Sequence, residues 1–184
     1  MEIPKTLTGN RLIAALILLA ILGIGWRLMP HIPNFAPIGA IALLAGTLLP
    51  KKHTILLLLC IMLITDTALG FYLGFEWTWL SLALVIPIGL AVRKLPLLAK
   101  SSVGALGASL VFFIVSNFGV WLTSGMYPPT MTGLISCYFM AIPFFGATLA
   151  SNFAFSTALF GISSYLQSYR SANRRMVEVA TCKN

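Results

Sequence analysis

The chain has 184 residues, 59% hydrophobic and 9% charged, with a mean hydropathy of +0.95. A soluble domain carries roughly 25% charged residues, so this composition excludes one and indicates an integral membrane protein of a single domain. The formal charge of +8 does not signal nucleic-acid binding, because the basic residues lie between apolar runs and not along one face.

A helix rises about 1.5 Å per residue, so a hydrocarbon core of about 30 Å needs roughly 20 residues. The first apolar segment covers residues 11–28. It follows Lys5 and Arg11 as a secretory signal would, but Trp26-Arg27-Leu28-Met29-Pro30 offers no small-residue cleavage site. The second segment, 37–50, spans only about 21 Å as a helix. Pro30, Pro33 and Pro37 break the chain before it and Pro50-Lys51-Lys52 ends it. It is a separate element, either a sixth span or a buried or tilted half-helix. The third, fourth and fifth segments are 54–72, 77–92 and 101–123. The sixth, 133–166, is too long for one upright crossing. Pro143 predicts a break within it. Residues 1–166 thus form the transmembrane domain, and 167–184 form a polar, mobile cytoplasmic tail. Arg170, Arg174 and Arg175 of that tail are placed to meet anionic lipid headgroups.

Charge fixes the direction. With both termini cytoplasmic, the inner loops and tail carry Lys5, Arg11, Lys51, Lys52, Arg93, Lys94, Lys100, Arg170, Arg174, Arg175 and Lys183, and the outer loops carry only Arg27. This is the positive-inside pattern. The predicted architecture is an all-α bundle of six transmembrane helices. Its outer connections are 27–36, 70–76 and 124–132, all with aromatic residues and two of them rich in proline. Trp26, Trp77 and Trp121 sit where belt anchors sit.

Within the apolar runs a few polar groups stand out. Asp66 lies in the outer half of the third span, where a carboxylate in hydrocarbon costs about 2.5–3.5 kcal/mol at mid-depth. It either faces a wet pocket or is a structural partner of Arg27. Asn117 lies in the outer half of the fifth span, and Ser151 and Asn152 fall at similar depth in the sixth. Grouping such side chains lets them satisfy one another, as a helix–helix network, or a ligand. In the first outer loop, His31 is a candidate ligand contact or a loop-stabilising group. It has no second histidine nearby for a protein-only metal site. Glu76 reads as a solvated loop charge. Ala36/Ala40 and Ala42/Gly46 give the second segment a small-residue face for close packing, inside the protein or against a partner.

Cys60, Cys137 and Cys182 show no paired spacing and form no disulfide framework. No phosphate-binding GxxxxGK[ST], H-E-x-x-H or G-x-S-x-G occurs. Neither a resident cofactor nor a catalytic constellation is called for.

The stretch Arg27-Leu28-Met29-Pro30-His31-Ile32-Pro33-Asn34-Phe35-Ala36-Pro37-Ile38-Gly39-Ala40 resembles the opening motif of a family of small, uncharacterised bacterial membrane proteins. Thr65-Asp66-Thr67-Ala68-Leu69-Gly70-Phe71, Ser116-Asn117-Phe118-Gly119-Val120-Trp121 and Ala141-Ile142-Pro143-Phe144-Phe145 resemble its later motifs. The architecture is similar to the substrate-binding S-components of energy-coupling-factor vitamin transporters. That resemblance implies a bacterial inner-membrane, multi-pass location, an outward-facing pocket under the loops and an ATPase module as partner. The expected function is therefore a substrate-capture subunit or solitary importer for a small vitamin-like molecule. Asp66, Asn117 and Asn152 would bind its polar groups, and His31, Asn34 and Tyr127 would close over it. The alternative is a non-transporting structural membrane subunit, and an intramembrane enzyme is the third reading.

Overall fold

The computed structural model describes residues 6–181. Lys5, Cys182 and Lys183 lie outside the described residues, as do the side chains of Arg170, Arg174 and Arg175. Six α-helices follow one another: α1 Gly9–Leu28, α2 Ile38–Leu48, α3 Lys51–Leu69, α4 Phe75–Ala91, α5 Leu97–Thr123 and α6 Met131–Thr181. A 3₁₀ turn, Val92–Lys94, closes α4. Proline marks the entries: Pro37, Pro50 and Pro96 stand immediately before α2, α3 and α5. There the absent N–H is no loss, because the first turn has no partner for it. Gly70 and Gly74, both at positive φ, fold the chain between α3 and α4.

Five of these helices are long and apolar enough to cross a membrane, and α2 is not. The six expected elements are all present, but the second is a short helix of 11 residues buried in the bundle. Its composition explains the placement. It is apolar on every side, and every residue except Gly39 is buried. Such a helix has no face to give to lipid headgroups or solvent and belongs in a core. α4, α5, α6 and α3 surround it. Its small residues face inward within this chain. A Cβ added at Gly46 would lie 2.7 Å from the carbonyl oxygen of Ile86 on α4. One added at Gly89 would strike the backbone of Leu43. Across this close contact the Thr47 hydroxyl donates to the Gly89 carbonyl at 3.1 Å. Glycine is required at both positions because the backbones nearly touch.

The predicted break at Pro143 is corrected. α6 runs through Pro143 as continuous helix. The ring lies on the exposed face, and contacts on both sides of it hold α6 against α5. Tyr138 donates to the Ile114 carbonyl at 2.7 Å, and Phe113 packs edge-on against Phe145 with centroids 5.1 Å apart. Neighbouring helices of this kind let a membrane helix carry proline without breaking. The helix also continues past Leu166, through the stretch read as a polar tail, to Thr181.

The chain reverses at every connection. The end of α1, the start of α2, the end of α3 and the start of α4 meet around one cavity. At the opposite end Asn10 and Gln167 line a common groove between α1 and α6. Arg11, Lys51, Lys52, Arg93, Lys94 and Lys100 gather toward that end.

Candidate functional site

The end of the bundle that lacks the basic cluster contains two adjoining cavities of about 270 and about 350 Å³. They share Arg27, Asn34, Thr78, Phe112 and Thr148. The first is built on α2 and α6 and adds Gly39, Ser151 and Asn152. The second lies between α5 and α6 and adds Tyr72, Ser116, Asn117 and a wall of Phe113, Phe144 and Phe145. Space of this size holds a small organic molecule, and the mixture of an apolar wall with a few polar groups is the usual make-up of a ligand site.

The loop between α1 and α2 is anchored beside both cavities. The Trp26 indole donates to the Phe35 carbonyl at 2.8 Å, and Trp26, Phe35 and Phe155 form one aromatic cluster joining α1, the loop and α6. Asn34 adopts a left-handed conformation at φ 60°, which asparagine tolerates better than most residues. It lines both cavities, and its carbonyl accepts a long bond from the Ser151 hydroxyl at 3.5 Å. His31 lines the first cavity and holds its own loop, its Nδ1 lying 2.8 Å from the Met29 carbonyl.

Asn152 is almost wholly buried and donates to the Ser109 hydroxyl at 2.9 Å. Its amide fits because Gly39 faces it. A Cβ at Gly39 would collide with the amide oxygen of Asn152. Asn117 donates its amide to the Phe113 carbonyl at 2.8 Å, leaving Oδ1 as the group it offers to the second cavity. The two asparagines, read as one cluster from their depth, line different cavities.

Asp66 is placed behind the wall and lines neither cavity. It is 1% exposed, and both carboxylate oxygens are engaged. Oδ1 pairs with Arg27, and Oδ2 accepts from the Trp79 indole at 2.7 Å. Arg27 also rests a guanidinium nitrogen 3.4 Å from the Met62 sulfur. One ion pair thus ties α1, α3 and α4 together beside the cavities. Tyr127 lines neither cavity; its loop is held to α5 by the Trp121 indole, which donates to the Pro128 carbonyl at 3.0 Å. Glu76 is exposed in the first turn of α4, where a negative charge suits the helix dipole.

The residue undervalued by the sequence is Arg27, which lines both cavities. Its signal was present, since it is the one basic residue expected at the outer end. Tyr72, Thr78 and Thr148 carry no such signal, as loop tyrosines and helical threonines are common. Burial pushes the Tyr72 hydroxyl above its ordinary pKa, against the lowering effect of its bond to Thr78, so it stays a donor at neutral pH.

No curated protein and no solved structure matches the chain. A family of unknown function, DUF6580, matches residues 7–174, and the chain belongs to that family.

Proposed function

We propose that the chain captures a small vitamin-like molecule at the outer side of a bacterial inner membrane, as a substrate-binding subunit or a solitary importer. The observation that carries this reading is the pair of adjoining cavities, walled by polar side chains from α5, α6 and the first outer loop and placed away from the basic end. Positive charge favours the cytoplasmic side, which supports a topology with both termini inside and the cavities outside. The similarity to S-components supports an ATPase module as partner. In this reading Asn117 and Asn152 contact the substrate and His31 and Asn34 cover the mouth. Asp66 serves by holding Arg27.

Native mass spectrometry of the detergent-purified protein tests the proposal. A small molecule should remain on the wild type and be lost from Asn117→Ala and Asn152→Ala, with helicity and monodispersity unchanged. A folded wild type that is empty in every preparation would remove its support.

One observation favours a second reading, a structural membrane subunit: Asp66 is fully satisfied by Arg27 and Trp79, as a helix-joining group would be. That reading predicts that Asp66→Asn lowers stability and leaves every uptake phenotype intact. Substrate loss in the cavity variants separates the two.

A further inference from the structure

We propose that the cleft selects an anion, a small molecule with an apolar body and a carboxylate or phosphate group, and that Arg27 is its anchor. The inference rests on the capture reading and adds the charge class of what is captured.

Arg27 is the one Lys, Arg, Asp or Glu side chain among the described residues lining the two cavities, and it lines both. Its counter-ion is set apart from the space it faces. Asp66 is buried, engaged through both oxygens and absent from either wall. The pair is therefore directional, with its acid toward α3 and α4 and its guanidinium beside the cleft. A guanidinium also carries more N–H donors than the Asp66 oxygen and the Met62 sulfur occupy. Donors that remain suit the planar, bidentate acceptors of a carboxylate or phosphate.

The surroundings reinforce this preference. Tyr72, on the second cavity beside Arg27, supplies a further hydroxyl donor, its oxygen bonded by Thr78. Phe112, Phe113, Phe144 and Phe145 give the same cavity an apolar wall for the rest of the molecule. Among the described residues no carboxylate lines either cavity to receive an incoming ammonium or amidinium. The pair is neutral overall, so its orientation sets the preference: an ion entering the cleft meets the guanidinium before the carboxylate, which favours an anion over a cation.

Four probes of one size decide the matter: benzoate, phenyl phosphate, benzamide and benzamidine. Thermal unfolding is followed in lipid-free detergent, so that bilayer phosphate does not compete. Benzoate or phenyl phosphate should raise the Tm by several degrees, and the stronger of the two names the acid group. Benzamide should bind about ten-fold more weakly than the better anion, and benzamidine should give no shift. The double variant Arg27→Gln/Asp66→Asn replaces the ion pair with a neutral one and should abolish the ordering. The single variant Asp66→Asn leaves the cation unopposed and should tighten benzoate binding, a gain that a purely structural role does not produce. If the double variant does not fold, the wild-type order of the four probes decides alone.

Benzamidine protecting as well as benzoate, or an ordering that survives in the double variant, would overturn the charge assignment and leave the capture reading standing. Protection by none of the four, together with an empty wild type in native mass spectrometry, would overturn both.

Discussion

Removing the Asp66 carboxylate leaves the half-buried Arg27 guanidinium beside the cavities without its counter-ion. Breaking a buried pair from one side costs about 3–5 kcal/mol, and Arg27 is partly exposed, so Asp66→Ala should fall near the lower end, at about 3 kcal/mol. Trp79→Phe keeps the ring packing and deletes one donor to Oδ2, which should cost about 1–2 kcal/mol. Denaturant unfolding in detergent measures both, and equal losses would show that the indole, not the ion pair, holds the carboxylate. At this scale the sequence indicated which side chains are anomalous and how deep they lie. It did not indicate which way each one turns. Asp66 and Asn117 share a depth, yet one faces a neighbouring helix and the other a cavity. A side chain's azimuth on a helix that is apolar all round has no periodicity to reveal it. Tyr127 is expected over the pocket because it lies in a loop at that end, but it is not among the residues that line either cavity.

Among the elements, α2 carries a strict packing requirement. Its contact with α4 depends on Gly46 and Gly89, where added carbons meet backbone and not the yielding end of a side chain. Gly46→Val should therefore push α2 from α4 and cost about 1–3 kcal/mol through overpacking. The same change at Gly25, with open space around its Cβ position, should cost far less. The comparison is made by thermal unfolding of the two variants, and equal losses would contradict the close contact. The number and order of elements could be read from the lengths of the apolar runs and the prolines between them. The length of the second run raised the half-helix alternative, and burial on all sides selects it. The break at Pro143 was misjudged for a physical reason. A proline removes one backbone bond from its own helix, but the flanking contacts of Tyr138 and Phe145 with α5 keep the axis in place, and those lie far apart in sequence.

For the whole molecule, the separation of charge from cavity is the organising fact. Basic residues gather where α3 begins and α4 ends, and Arg27 stands alone at the other end. In a background with Cys60, Cys137 and Cys182 replaced by alanine, a membrane-impermeant maleimide should label Met126→Cys in intact cells. Asn10→Cys should react only after permeabilisation. The reverse pattern would invert the topology and place the cavities inside.

The ion pair also sets an order on biogenesis. Arg27 and Asp66 are separated by 39 residues, and Trp79 follows Asp66 by a further 13. At about 5–20 residues per second, the ribosome delivers the cation several seconds before its counter-ion and the indole last. In that interval the Arg27 guanidinium, near the C-terminal end of α1, has no counter-ion, and its long side chain is free to reach toward a membrane interface. α2 is too short to hold the chain across the membrane while it waits. Arg27 gains its counter-ion only when α3 has been made, and the carboxylate gains its second partner only with α4.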